Sequence, residues 1–283
     1  SAVKKNNKAA TIFFQKALKL KDSDELRSKL ASAELGGSEQ VEQLILESKI
    51  IDLMRKSKIE VRDKNWDKAF SYAIDATDLN PSYIPSQLLL ANIQRSRGYY
   101  ESAINTLEQL RKEYANNRKI TYQLVMAYID SYKLSEAKKL IAISSRTTFE
   151  STPEYASLLA RYYNKSNHLI QTLRWFTESL NRNPLNDDDY YLIAKVFLKH
   201  RKYKKGKSML NKAMNLDPLN VDYRSLYAKV LYELDSADTA IGYLRKELEK
   251  HSDNPKLLGD IAIYYYKNGQ MTEFERYKKK IEN

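Results

Sequence analysis

The chain has 283 residues, of which 42% are hydrophobic and 30% are charged, a composition typical of a folded chain rather than of a disordered one. It contains no Cys, seven Gly and six Pro. The absence of Cys excludes disulfides, thiolate chemistry and zinc ribbons, and so few Gly and Pro disfavour an all-β fold with frequent turns. The net charge of +12 indicates an acidic partner, whether protein, nucleic acid or anionic lipid.

The first residues include neither an initiator Met nor the apolar stretch of a signal peptide, so we interpret the chain as a piece of a longer protein. Residues 4–21 are predicted to form the second helix of an upstream repeat, and residues 24–35 a short helix. Ser38 and Glu39 can then cap a long apolar helix from about Gln40. We treat residues 1–49 as irregular N-terminal helices.

An internal repeat of 34 or 35 residues runs through the rest of the chain. Small residues recur at this spacing until Phe274 breaks the series: Ala69, Ala103, Ala137, Thr172, Gly206 and Ala240. A second, mostly small series lies twelve positions earlier in each unit: Ser57, Ala91, Val125, Ala160, Ala194, Ala228 and Ala262. Two small positions per unit predict two helices that cross closely.

The prolines fit the same frame, because Pro is tolerated in the first turn of a helix and beyond its end but not in its interior. Three are predicted to follow a second helix: Pro81, Pro184 and Pro218. The other three are predicted to start the next helix: Pro85, Pro153 and Pro255.

This pattern resembles the tetratricopeptide repeat family, whose 34-residue unit has small residues at its eighth and twentieth positions and Pro near its thirty-second. Seven units can be framed: 50–83, 84–117, 118–152, 153–186, 187–220, 221–254 and 255–283. The resemblance implies an all-α fold, a right-handed α-solenoid (superhelix) of antiparallel helix pairs in which the first helix of each unit lines a concave groove. Phe274 predicts a loosened or capping final repeat.

We expect no catalytic, metal or cofactor site. His168, His200 and His251 lie in three different repeats, and we interpret each as a polar residue at a helix end. The acidic run 187–189 follows Pro184, so we interpret it as capping the N-terminus of a helix rather than as a metal site. The chain is therefore predicted not to be an enzyme and to need no cofactor.

The glycines and several aromatic residues are assigned structural roles. No glycine belongs to a phosphate-binding loop, and four are predicted at turns or tight helix contacts: Gly98, Gly206, Gly242 and Gly269. Four tyrosines are predicted to lie in the core: Tyr128, Tyr163, Tyr190 and Tyr265. Trp66 is predicted at an apolar site that opens a second helix.

The resemblance also implies where a partner binds, since ligands of the family usually meet the first helix at its second, fifth, ninth, twelfth and thirteenth positions. The candidate partner-binding residues on this face are Lys58, Arg62, Asn92, Lys119, Tyr122, Arg161, Lys165, Tyr191, Lys195, Lys199, Lys229, Tyr232, Tyr266 and Lys267. Eight of the fourteen residues at the ninth and thirteenth positions are basic. Among them Arg161, Lys195 and Lys229 are predicted to be exposed. The alternative interpretation is an ordinary solvated helix face.

Like charges four residues apart support the partner-binding interpretation. Three such pairs occur, Lys58 with Arg62, Arg161 with Lys165 and Lys195 with Lys199, and each destabilises its helix slightly. The pattern does not match the family's clamp for a C-terminal carboxylate, because Met54, Leu88 and Leu158 occupy clamp positions.

The leading hypothesis is a non-catalytic scaffold for protein–protein interaction that binds an acidic peptide or protein segment in a basic, Tyr-rich concave groove. The alternatives are an RNA-binding helical repeat and a regulatory or docking segment of a larger enzyme. Self-association through a terminal repeat and binding on the convex face also stay open. We expect no membrane insertion, a bacterial source and a cytoplasmic location, with the periplasm or the cell envelope as the alternative.

Overall fold

A computed structural model describes residues 38–144, 148–251 and 254–282. Within these ranges every regular element is helical, so the fold is all-α as predicted. The two helices predicted within residues 4–35 lie outside the described residues. The chain divides into two compact units, residues 1–140 and residues 141–283, and the boundary falls within one helix.

Residues 38–140, the described part of the first unit, together with the end of α6 form three helix pairs. They are α1 (Ser38–Arg62) with α2 (Trp66–Leu79), α3 (Ile84–Ser96) with α4 (Tyr100–Glu113), and α5 (Arg118–Asp130) with α6 (Leu134–Ser144), which crosses the unit boundary. The long helix predicted from about Gln40 therefore already includes Ser38. Trp66 opens α2 as expected.

The second unit contains four helix pairs after a short 3-10 turn, Thr148–Ser151. They are α7 (Pro153–Lys165) with α8 (Leu169–Arg182), α9 (Asp187–Lys199) with α10 (Tyr203–Leu216), α11 (Val221–Leu234) with α12 (Ala237–Lys250), and α13 (Pro255–Lys267) with α14 (Met271–Glu282). Odd-numbered helices are thus the first helices of their pairs. The prolines stand where the sequence predicts, after second helices or in the first turn of first helices.

The two series of small residues form the contacts within each helix pair. Every member of both series is buried, which confirms the predicted close crossing. In the first pair the Ser57 hydroxyl also donates a 2.7 Å hydrogen bond to the Ala69 carbonyl, which joins α1 to α2. A larger side chain at these positions would separate the two backbones.

Each hydrophobic core is shared by one helix pair and the next first helix. In the first unit, Ile50, Met54, Ala73, Leu89 and Ile93 bring together α1, α2 and α3. In the second unit, one cluster joins α11, α12 and α13: Ala228, Leu231, Ala240, Ile241, Leu244, Leu257, Ile261, Tyr264 and Tyr265. A helix pair therefore buries its apolar face only when a neighbour packs against it.

The predicted core tyrosines divide into two groups. Tyr128 and Tyr265 are buried, which confirms the prediction, and the Tyr128 hydroxyl donates a 2.5 Å hydrogen bond to Glu108. Tyr163 and Tyr190 are only half-buried, because Tyr163 packs beside a turn against His168 and the ammonium of Lys212 lies over Tyr190. In the final pair α14 buries no side chain, and Phe274 packs against Tyr266 at its surface.

The turn between the two helices of a pair has a recurrent backbone. Six of these turns contain one residue with positive φ: Lys64, Gly98, Tyr132, Asn167, Arg201 and Gly269. Gly206 packs tightly against the Leu198 side chain, as predicted. The prediction for Gly242 is wrong, since this residue is exposed within α12 and a Cβ there would meet nothing within 4 Å.

Candidate protein-binding surface

Polar caps fix the start of most first helices. The side chains of five residues accept hydrogen bonds from backbone N–H groups in the first turn that follows: Asn117, Thr152, Asn186, Asn220 and Asn254. These caps recur at the repeat spacing and satisfy amides that the helix itself leaves unpaired. They set where these five first helices begin.

Neighbouring first helices contact one another: α1 with α3 and α3 with α5 in the first unit, and α11 with α13 in the second. The predicted partner-binding residues all lie on these odd-numbered helices. We call the surface that these residues form the first-helix face. Within each unit it extends from one helix pair to the next.

In the first unit, Arg95 joins two first helices. Its guanidinium donates to Asn92 at 2.8 Å on α3 and forms an ion pair with Asp130 on α5. The predicted residue Asn92 therefore already holds Arg95. Arg95 is not among the predicted partner-binding residues. It lies at the twelfth position of its repeat, another position at which ligands of the family usually bind, and this position could have identified it.

The other predicted residues of the first unit differ in exposure. Lys58 and Lys119 are exposed, and Tyr122 is half-buried. Arg62 is exposed at the end of α1 and forms a 3.4 Å ion pair with Asp63. At the C-terminal part of α1, Lys58 is thus exposed, whereas Arg62 already pairs with Asp63.

In the second unit, the acidic run at the start of α9 is used by neighbouring helices. Asp187 accepts a 2.7 Å hydrogen bond from the Tyr223 hydroxyl, and Asp188 pairs with Arg161. Asp189 is completely buried and accepts a 2.7 Å hydrogen bond from the Ser157 hydroxyl. As predicted, the run occupies the first turn of α9, but the side chain that caps the helix is that of Asn186, which precedes the run, and the three carboxylates contact adjacent helices.

Arg161 therefore helps to hold two neighbouring first helices together. Its side chain is only 20% exposed, and besides the ion pair with Asp188 it donates to the Ser157 hydroxyl. Lys165, four residues later, is half-buried. The exposure predicted for Arg161 is wrong because the next first helix brings a carboxylate to it.

One of the two basic residues of α9, Lys195, lies beside an aromatic ring. The ammonium of Lys195 lies 5.4 Å from the centre of the Tyr191 ring, which packs 4.9 Å from the ring of Tyr223 on α11. Burial raises the pKa of Tyr191 to about 12, so its hydroxyl stays neutral at physiological pH. Lys199 donates a 2.7 Å hydrogen bond to Asn167 in the turn between α7 and α8.

The last two first helices combine positive charge with exposed apolar surface. Tyr232 of α11 packs 5.2 Å from Tyr264 of α13, and the Lys267 ammonium lies 4.5 Å from the centre of the Tyr232 ring. Tyr266 and Ile263 of α13 are 59% and 51% exposed. These two residues are the apolar side chains most available to a partner on α13.

Four predicted lysines form no ion pair with any residue that the structure describes: Lys58, Lys195, Lys229 and Lys267. Their side chains are all exposed. The rings near Lys195 and Lys267 stabilise a cation without neutralising it. The positive charge on this face is therefore available to carboxylates of another molecule.

The three histidines lie at helix ends, as predicted: His168 precedes α8, His200 follows α9 and His251 follows α12. Among the described residues, no three His, Asp or Glu side chains are grouped so that they could hold a metal ion. In the same part of the chain, no helix combines the length and the apolar character needed to span a membrane.

Two family models match the chain. A model described as "Tetratricopeptide repeat" matches residues 94–162, and a model described as "Anaphase-promoting complex, cyclosome, subunit 3" matches residues 166–247. A TPR repeat-containing protein of Methanocaldococcus jannaschii is 27% identical over 124 residues. That match covers 41% of this chain and 20% of the relative, so it spans only a fifth of the relative's length.

Two solved structures share the fold at 16% sequence identity. A thermophilic TPR protein of Thermus thermophilus gives a TM-score of 0.57, with 64% of this chain and 98% of that chain covered. Yeast Tom70 gives a TM-score of 0.64, with 98% of this chain and 54% of that chain covered. At this identity the similarity concerns the arrangement of helix pairs.

Proposed function

Because the chain belongs to the tetratricopeptide repeat family, we propose that it is a non-catalytic scaffold that binds an acidic segment of another protein on its first-helix face. Repeats of this family generally act in protein interaction rather than in catalysis. The choice of an acidic segment rests on the charge and chemistry of the second unit.

The observation that carries the proposal is the set Lys195, Lys229 and Lys267 on α9, α11 and α13. All three side chains are exposed, and none pairs with a carboxylate of the described residues. Carboxylates of a partner would therefore not have to displace an ion pair already made within the chain. Such complementarity mainly accelerates association and selects the partner, and it weakens as salt is added.

Apolar contact would supply the rest of the affinity. Tyr266 and Ile263 are exposed on α13, and Tyr232 lies half-buried beside the Lys267 ammonium. Tyr is a frequent anchor at interfaces because its ring buries much area and loses little side-chain entropy. A segment that combines Asp or Glu with one large apolar residue fits this surface.

Selection from a displayed library of random peptides tests the proposal. We expect selected peptides to be enriched in Asp and Glu, to contain an apolar residue, and to lose affinity as salt rises. The variant Lys195→Glu/Lys229→Glu/Lys267→Glu should weaken their binding at least tenfold in fluorescence anisotropy.

The matched control changes three exposed lysines of second helices by the same charge: Lys138→Glu, Lys139→Glu and Lys246→Glu. We expect this control to retain the affinity of the parent chain within about threefold. Selection of neutral or basic peptides, or equal losses in the two variants, would reject an acidic partner on the first-helix face.

A further inference from the structure

A stretch without any acidic residue lies between Asp189 and Asp217. It contains eight basic residues: Lys195, Lys199, Arg201, Lys202, Lys204, Lys205, Lys207 and Lys212. Elsewhere Asp and Glu are frequent, with 36 in the chain. The first two of these basic residues belong to the first helix α9, whereas the other six lie in the turn and on the second helix α10.

The exposed polar side chains of α10 form one stripe: Lys204, Lys205, Ser208, Asn211, Lys212 and Asn215. Their spacing places them on one side of the helix, along about 16 Å of its axis. We call this stripe the α10 face. It belongs to a second helix, so it is separate from the first-helix face.

Three of the four lysines of α10, Lys205, Lys207 and Lys212, lie near aromatic rings. Lys205 lies 6.0 Å from the ring centre of Phe197, and Lys212 lies 5.3 Å from that of Tyr190. Neither lysine forms an ion pair within the described part of the chain, and the same holds for Lys204. The positive charge of the α10 face is thus not neutralised along its length.

The α10 face offers almost no apolar anchor. Among the exposed residues of α10 the one apolar side chain is Leu216, at the last position of the helix and 38% exposed. A peptide partner needs a buried anchor, and a peripheral membrane helix needs apolar side chains that enter the bilayer. No aromatic residue of α10 is fully exposed, so bases of a single strand would find no stacking platform there.

Lys, Ser and Asn are, by contrast, residue types that contact nucleic-acid phosphates. We propose that the α10 face binds the phosphate backbone of a double-stranded nucleic acid without reading its base sequence. The α10 face and the first-helix face lie on different helices, so this inference does not depend on the proposed peptide binding.

Fluorescence anisotropy with labelled 24-base-pair RNA and DNA duplexes tests the inference on the full chain. The variant Lys204→Gln/Lys205→Gln/Lys212→Gln should weaken duplex binding at least tenfold at low salt. It should also make the plot of log affinity against log salt shallower by about 3, since each lost phosphate contact removes about 0.9 from the slope. Replacement of the same lysines by Arg should retain binding.

The control Lys112→Gln/Lys138→Gln/Lys139→Gln removes the same charge from exposed positions on α4 and α6 and should bind duplexes like the parent. The inference is overturned if the parent does not bind duplexes at low salt, if the control loses as much affinity, or if a single strand binds more tightly. It is also overturned if only vesicles containing phosphatidylserine bind through these lysines. Binding of the selected acidic peptides should be unchanged in the Gln variant, which separates the two surfaces.

Discussion

Asp189 shows how the repeat interface places a carboxylate in the core. The side chain is completely buried, and one of its oxygens accepts a hydrogen bond from the Ser157 hydroxyl. Burial raises the pKa of Asp189 above its ordinary value, although the hydroxyl of Ser157 and the charge of Arg161 oppose the increase. The folded protein therefore binds this proton more tightly than the unfolded chain does.

The raised pKa of Asp189 determines how the free energy of unfolding depends on pH. Between the ordinary Asp pKa of about 4 and the raised value, ionisation of Asp189 costs the folded state free energy, so its contribution to stability falls as pH rises. Asp189→Asn does not titrate. The free energy of unfolding of this variant, minus that of the parent, should increase from pH 4 to pH 7 in urea denaturation. A difference that is flat or falls with pH would contradict the account.

The ion pair of Arg161 could not be predicted from its position in the repeat. Its place in the repeat predicted an exposed cation, yet Asp188 on the next first helix pairs with it. The partners are 27 residues apart, and nothing local to either residue indicates their contact. The same is true of Arg95 and Asp130, which are 35 residues apart.

At the scale of the helix pair, glycine is favoured at a turn position with positive φ and disfavoured in the interior of a helix. Gly98 has a φ of +84° in the turn between α3 and α4, a conformation that disfavours a Cβ. Gly242 is an exposed residue within α12, where Ala is preferred. A Cβ would meet nothing within 4 Å at either position, so only the backbone preference differs.

We therefore expect the same substitution to act with opposite signs. Gly98→Ala should lower the free energy of unfolding by about 1 kcal/mol, and Gly242→Ala should raise it by about 0.5–1 kcal/mol. Chemical denaturation of the two variants measures both changes. Effects of the same sign would show that the backbone does not control stability at these positions.

Close packing of the two helices of a pair also requires small residues where the helices cross. Ala228 is completely buried between α11 and its neighbours, so Ala228→Leu should overpack the contact and cost about 1–3 kcal/mol. The same substitution at Ala142, which is exposed on α6, should change stability by less than about 0.5 kcal/mol. Thermal unfolding of the two variants makes the comparison, and similar melting temperatures would exclude overpacking at Ala228.

For the whole molecule, the sequence predicts what repeats and not what is particular to one interface. Small residues at fixed spacing, prolines at helix borders and apolar stripes appear in every unit, which is why the all-α stack of helix pairs could be predicted. The caps at Asn117, Asn186 and Asn220 also recur at the repeat spacing. Which cations are neutralised depends on side chains that meet across pairs, and a single sequence does not show this.

We propose that a partner lies on the first-helix face of the second unit. Site-specific photo-crosslinking tests it most directly, with benzoylphenylalanine placed at Tyr266 on α13 in one variant and at Lys246 on α12 in a matched one; both positions are exposed. A selected acidic peptide should crosslink at position 266 and not at position 246, and unlabelled peptide should suppress the product. Crosslinking at position 246 alone, or equal yields at the two positions, would contradict the claim.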